Sequence, residues 1–382
     1  MFGVYLHFPF CARRCSYCNF YLTTEVSGEV RYGRALEIAV DRAIPELIAA
    51  NSPGGYTLAL GGGTPSRLEI ASLQKIFARL RDTLGLAAEI SLEANPEDVS
   101  DETAAAWKSA GVTRLTLGVQ SLDDAVLRTL GRVHDAARAE TAVASAARAG
   151  FANLGVDLIF GLPGQTPESA CSDLAVAVRW PIAHLSHYAL ETDGATALGN
   201  EIRRGVRAEW TEELQVDLYA EAGRLLAEKG FPRYEVSNYA RPGFASRHNS
   251  LYWTDTDYLG IGPSAASYWR GHRFSEAPDL SAWIAAVETE RNPPRSEEVS
   301  PTARERLRDA LMMGLRLSAG APAQALWSKY LAAEPPPDFS ARLAPFLSHD
   351  LLCWKGECLA VPAAQQFRTD GLAGEVVIAL GL

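Results

Sequence analysis

The chain has 382 residues, 47% hydrophobic and 21% charged, an ordinary globular balance with room for one large domain and a smaller one. A formal net charge of −10 argues against an electrostatic surface for nucleic acid, and no apolar run approaches the length that spans a bilayer. Six cysteines are too few for a disulfide scaffold of this size.

From the N-terminus to about residue 190, short β-rich runs alternate with helical patterns. The expected strands are Gly3–Phe8, Tyr56–Gly61, Glu89–Ala94, Arg114–Val119, Asn153–Phe160 and His184–Leu190. Helical stretches of roughly 10 to 20 residues between them read as βα units on a parallel sheet. Thr166-Pro167-Glu168 supplies an N-cap, a first-turn proline and a dipole-matched acid, so a helix is expected to start there. Six such units form a partial (β/α)6 barrel, whose functional groups should gather at the C-terminal strand ends. The first strand starts within the first three residues, so no signal or transit peptide is expected before it.

Past residue 200 the pattern changes. Thr211 should cap a helix with Leu214, Leu218 and Leu225 on one face. A short strand is expected at Arg233–Val236, followed by a polar, aromatic-rich loop from Ser237 to Tyr268. Leu307, Ala310, Leu311, Gly314 and Leu315 recur at helical spacing and read as core. Leu351–Phe367 reads as a hairpin before a final helix or strand. The expected division is a core domain over 1–235, a connecting region over 236–294 and a small helical or winged C-terminal domain over 295–382.

Chemistry-bearing residues fall where the barrel rule puts them. Cys11, Cys15 and Cys18, spaced C-x3-C-x2-C, follow the first strand. Three thiolates can hold three irons of a [4Fe–4S] cluster and leave the fourth iron open to a bidentate small molecule. A zinc site or a disulfide is the alternative. Structural zinc wants four ligands, and only His7 and Asn19 stand near as a fourth. Gly61-Gly62-Gly63-Thr64-Pro65 ends the second strand, where glycines let backbone approach a ligand closely. Glu93 ends the third strand, Gln120 the fourth, and Asp157 interrupts the apolar fifth; Arg132 could take a carboxylate bidentately. Taken singly, each of these reads as a satisfied polar group at the barrel mouth. His184 and His187, on a strand, read as core or rim histidines, and Cys171, Cys353 and Cys358 as buried thiols. Arg13 and Arg14 are either solvated charges or cations beside a cluster.

The cysteine spacing after a first strand resembles the radical S-adenosylmethionine (SAM) superfamily. The string Tyr5-Leu6-His7-Phe8-Pro9-Phe10-Cys11 is similar to the branch that holds oxygen-independent coproporphyrinogen III oxidases and HemW-type heme chaperones. That resemblance implies a [4Fe–4S] cluster on Cys11, Cys15 and Cys18. It implies SAM held by Gly62, Gly63, Thr64, Glu93, Gln120, Arg132 and Asp157, with Tyr5 and Tyr17 against it. The oxidases carry one more cysteine two residues after the third, and here that place is Phe20. His248-Asn249-Ser250-Leu251-Tyr252-Trp253 fits the HNxxYW motif of the chaperones. From the residues alone, His248 as a heme ligand and His248 as a turn cap weigh evenly; the resemblance favours the ligand, accessible in a polar loop. The resemblance therefore implies a cytoplasmic heme carrier rather than a decarboxylase. Its partners would be heme, heme-accepting apo-proteins such as respiratory cytochromes, an electron donor to the cluster and a second copy in a homodimer. The competing expectation is oxidative decarboxylation of coproporphyrinogen III to protoporphyrinogen IX.

Overall fold

Alternation along six strands decides which side of the sheet each residue joins. The computed structural model describes residues 1–50, 53–192 and 195–382. The parallel strands are β1 (Phe2–Phe8), β2 (Tyr56–Gly62), β3 (Glu89–Ala94), β4 (Arg114–Gln120), β5 (Asn153–Phe160) and β6 (His184–Ala189). On β1, Val4, Leu6 and Phe8 are fully buried with Tyr32, Leu36, Val40 and Leu47 of the outer helix Glu29–Ala50. Gly3, Tyr5 and His7 take the opposite face and point into the barrel, as a period of two requires. The same alternation lines the interior with Thr57, Glu93, Thr116, Gly118, Asp157 and Ser186, so the inside of this barrel is polar and its outside is the core. Each fully buried Leu or Phe on that outer face contributes about 1.5–3 kcal/mol.

The sheet does not end at six strands. It continues with β7 (Asn238–Ala240), antiparallel to β6, and β8 (Tyr258–Ile261), parallel to β1. β9 (Ala266–Trp269), β10 (His272–Glu276) and β11 (Arg295–Val299) follow as an antiparallel meander. The full order is β11-β10-β9-β8-β1-β2-β3-β4-β5-β6-β7. The β9–β10 link is the pair Arg270-Gly271, both with positive φ, as a two-residue hairpin of this hand requires. The first core extends to Trp283 and Val287; a second core begins at Leu307 and includes Leu311, Leu315, Phe339, Leu343, Val376 and Leu380. Arg233 ties helix Glu212–Glu228 to the C-terminal segment, its guanidinium 3.8 Å over the Tyr219 ring and donating to Gln366 Oε1 at 3.0 Å.

The six expected barrel strands form with their expected bounds to within one residue, and Thr166 caps helix Pro167–Ala177 through a reciprocal box with Ser169. Three expectations need correction. Arg233–Val236 is no strand; it makes only isolated bridges, and the strand follows at Asn238–Ala240. The supposed loop 237–268 holds three short strands and a helix, Arg247–Trp253. Thr211 does cap helix Glu212–Glu228, but its buried face is Leu218, Tyr219, Ala222 and Leu226, while Leu214 is exposed. Near the C-terminus, strands Cys353–Lys355 and Cys358–Ala360 form the hairpin and the last element is helix Thr369–Leu380. No helix among the described residues is long and apolar enough to cross a membrane.

Candidate functional site

The cysteine loop leaves β1 and is laced to its neighbours by backbone. Cys11 N donates to Thr23 O (3.0 Å), Ser16 N to Leu130 O (3.0 Å) and Thr64 N to Phe10 O (2.8 Å). Arg14 braces the loop from outside, its guanidinium donating to Leu22 O at 3.0 Å and reaching Cys18 O and Phe20 O at 3.5 Å. The result is a fixed arc with Cys11, Cys15 and Cys18 all facing one cavity of about 650 Å³ at the barrel mouth, within the range of small-molecule sites. All three thiols are free. Burial raises the pKa of Cys11 and Cys18, and the neighbouring sulfurs push the same way. A cationic metal centre would reverse that shift, since a coordinating thiol is deprotonated.

Opposite the thiols the cavity is lined by Gly62, Gly63, Thr64, Glu93, Gln120, Arg132, Asp157 and Tyr17. Thr64 Oγ1 lies 3.2 Å from Cys11 Sγ and accepts from Asn95 Nδ2 at 3.2 Å, so the glycine turn and the cysteine loop share one hydroxyl. At Gly63 a Cβ would meet Phe10 O at 2.7 Å and Phe8 O at 2.8 Å, which only glycine avoids. Gln120 sits at φ 69°, in the left-handed region, where a bulge against β5 turns its side chain to the cavity. Such backbone strain costs on the order of 1–3 kcal/mol and concentrates at functional sites.

Two acids dominate the electrostatics. Glu93 opens onto the cavity but is ringed by protein on every other side; burial first, then the charge of Asp157, pushes it up to about 8. Asp157 is pushed up to about 6, chiefly by burial. A cation placed between them would let both ionise, and a ligand carrying an ammonium and a sulfonium meets that need. Arg132 Nη2 donates to Asn95 Oδ1 and Gly118 O, both at 2.7 Å, and Nη1 reaches Cys15 Sγ at 3.5 Å. Its Nε is buried and without a partner. The expected bidentate clamp on a carboxylate is therefore corrected: of five N–H donors, both on Nη2 are spent on the protein and one on Nη1 reaches the Cys15 sulfur, which leaves Nε–H and the second Nη1–H. Three thiols lining one cavity, an arginine Nε without a partner and two acids whose pKa values are raised together fit a cluster with SAM beside it.

Two expected residues stand apart. Tyr5 lies beneath the cavity, bonded to His7 Nδ1 at 3.1 Å, and His7 in turn donates to Tyr21 O at 3.0 Å. His7 is thus no fourth metal ligand, while Asn19 does line the cavity. His248 is at the other end of the barrel. It is 4% exposed, on a helix rather than in a loop, with Nδ1 2.8 Å from Thr57 Oγ1 and Nε2 2.9 Å from Tyr252 OH. The expectation of an accessible imidazole is corrected, because the helix fills the barrel foot and both ring nitrogens are engaged. His184 and His187 are buried, the first bonded to Tyr234 OH at 2.9 Å. Cys171, Cys353 and Cys358 are half-buried and outside the cavity, and Phe20 is 64% exposed at its rim. Sequence reasoning missed Asn95, Thr116 and Tyr188 as lining residues. Thr116 and Tyr188 follow from the inward period on β4 and β6, and Asn95 from its place two residues after Glu93.

The model of the radical SAM superfamily matches residues 5–174. The heme chaperone HemW of Lactococcus lactis subsp. lactis is 32% identical over 330 residues, covering 86% of this chain and 85% of that protein. HemW of Mycobacterium tuberculosis is 40% identical over 273 residues, covering 70% and 69%. Among solved structures, the coproporphyrinogen III oxidase HemN of Escherichia coli superposes with a TM-score of 0.80 at 22% identity, over 99% of this chain and 89% of that one, a likeness of fold.

Proposed function

Because this chain belongs to the HemW heme chaperone family of the radical SAM superfamily, we propose that it binds heme and passes it to acceptor proteins, with a [4Fe–4S] cluster and SAM bound at the barrel mouth. The observation that carries the mouth reading is the convergence of Cys11, Cys15 and Cys18 on one cavity with Glu93, Asp157 and Arg132. A bound cluster with SAM on its open iron supplies a one-electron centre able to act on the sulfonium. The protein's own groups do the rest. The cysteines would hold three irons, Glu93 and Asp157 would accept from the N–H and cationic groups of SAM, and Arg132 would supply positive charge beside its carboxylate. Gly62, Gly63 and Thr64 let the backbone approach it.

Heme ligation by His248 belongs to the same proposal. It requires Nε2 to exchange Tyr252 OH for iron, since neither ring nitrogen is free in the closed barrel foot. Phe20, at the place of the oxidases' additional cysteine, weighs for a carrier over a decarboxylase, as does the identity to chaperones over most of the chain. Cytochrome-type apo-proteins as acceptors, a reductant for the cluster and a homodimer complete the reading.

The test mixes heme-loaded protein with an apo-cytochrome anaerobically and follows the acceptor's spectrum. In parallel, coproporphyrinogen III is incubated with the protein, SAM and a reductant. Transfer of heme without porphyrinogen turnover supports carriage; stoichiometric protoporphyrinogen formation would replace it with the oxidase.

A further inference from the structure

A second cavity, of about 370 Å³, lies at the barrel foot, at the end opposite the cysteines. The fold builds its walls from four places. They are the start of β1, the Asp255–Asp257 segment just past helix Arg247–Trp253, the Arg270-Gly271 turn, and two helices of the second core. Those helices are Ala303–Gly314, which contributes Arg306, and Ala323–Leu331, which contributes Lys329. Among the lining side chains, the cations Arg270, Arg306 and Lys329 outnumber the carboxylates Asp255 and Asp257. Hydrogen bonds locate the surplus. Asp255 is engaged on both oxygens: Oδ1 accepts from Tyr268 OH at 3.0 Å, and Oδ2 from Lys329 Nζ at 2.5 Å and from Tyr330 OH. Asp257 Oδ1 accepts from the backbone Arg270 N at 3.0 Å. The two guanidinium groups are left over.

Arg306 is half-buried and held in place by its neighbours. Its Nε donates to Tyr268 OH at 3.3 Å, and the guanidinium lies 4.9 Å from the centre of the Tyr330 ring. Gly271 leaves room for it: a Cβ there would stand 2.9 Å from Nη1, 3.0 Å from Cζ and 3.3 Å from Nη2. Among the described residues, neither Nη1 nor Nη2 of Arg306 has a hydrogen-bond acceptor, and the Arg270 side chain has none either. A guanidinium fixed at Nε with both Nη groups open matches an oxyanion that accepts two parallel N–H bonds. We propose that this cavity is a carboxylate-binding site: Arg306 Nη1 and Nη2 take the two oxygens, and Arg270 supplies a second positive charge at the turn. That chemistry is shared by a propionate of heme and by a small free carboxylate. The propionate source rests on the reading of this chain as a heme carrier, and it sets the acidic edge of the heme beside the segment that follows the HNxxYW helix. The site itself rests on the cavity alone.

The test compares heme with heme dimethyl ester, whose propionates carry no charge, in anaerobic titrations of cluster-reconstituted protein. The wild type should bind heme about tenfold more tightly than the ester, as hydrogen bonds to a charged acceptor require. Arg306→Gln should raise the heme Kd about tenfold and leave the ester's unchanged, which also shows that the variant is folded. Arg304→Gln removes the same charge from the same helix outside the cavity, and should match the wild type with both ligands. A parallel arm adds citrate to the heme-free protein at constant ionic strength. The thermal midpoint should rise saturably in the wild type and stay put in Arg306→Gln. Equal binding of heme and ester with the citrate response intact supports the site and assigns it to a free carboxylate. Absence of both responses in the wild type overturns the proposal, as does their persistence in Arg306→Gln or a loss there that is equal for heme and ester. A wild type that binds no heme would overturn the carrier reading instead, and the citrate arm alone would then decide the site.

Discussion

Replacing Gly63 with alanine should separate the two loops that build the site. The new Cβ would stand 2.7 Å from Phe10 O, 2.8 Å from Phe8 O and 3.0 Å from Phe10 N, all backbone atoms that cannot rotate away. Reaching ordinary contact at 3.4 Å means opening the β1 and β2 exits by about 0.7 Å. Gly63 N donates to Phe8 O at 2.7 Å and Thr64 N to Phe10 O at 2.8 Å, so that movement stretches both hydrogen bonds. Overpacking of this kind costs about 1–3 kcal/mol, and two weakened backbone bonds add about 1 kcal/mol each. A loss of roughly 3–5 kcal/mol in urea denaturation is expected, together with a fall in iron and sulfide content after anaerobic reconstitution, because Cys11 sits one residue past Phe10. Gly374→Ala is the comparison: it lies in helix Thr369–Leu380 with nothing within 4 Å of the added Cβ, and it should stabilise by up to about 1 kcal/mol. Wild-type stability and full cluster content in Gly63→Ala would refute the claim that the two loops are locked at this point.

The remaining expectations concern the acids and the arginine. Glu93 at about 8 binds its proton more tightly in the folded chain than in the unfolded one, so ligand-free stability should fall as pH rises from about 4.5 through 8. SAM affinity should rise across pH 6 to 8 and then level, since the bound cation requires ionised Glu93; isothermal titration in buffers of different ionisation enthalpy would register the displaced proton. Glu89→Gln sets a buried amide donor against Arg247 N, His248 N and Ser246 Oγ, and should cost about 2–3 kcal/mol by chemical denaturation. Arg132→Lys cannot reproduce the forked bonds to Asn95 and Gly118, and should weaken SAM binding about tenfold while iron content stays near wild type.

The barrel was legible because its strands are buried on the helix side without interruption and are separated by helical periods, a pattern that six consecutive units repeat. The mouth was legible for the same reason: Cys11, Gly63, Glu93 and Gln120 are fixed at or just past strand ends and Asp157 by the inward alternation of β5. What failed was the stretch after residue 230. β7, β8 and β9 are only 3, 4 and 4 residues long, so their alternation is too brief to register, and β7 and β8 are stabilised by partners far away in sequence, β6 and β1. The burial of His248 was likewise invisible, because it depends on Glu89 and Thr57, about 160 and 190 residues upstream, meeting the helix at the barrel foot. Arg132 lines the cavity, yet both Nη2 donors are consumed by Asn95 and Gly118, contacts that no local pattern encodes.

The most direct measurement is an anaerobic heme titration of cluster-reconstituted protein, read at the Soret band, for wild type and His248→Ala. Saturable binding near one heme per chain is expected, weakened in the variant if iron draws His248 away from Tyr252. Absence of saturable binding in the wild type would contradict heme carriage outright.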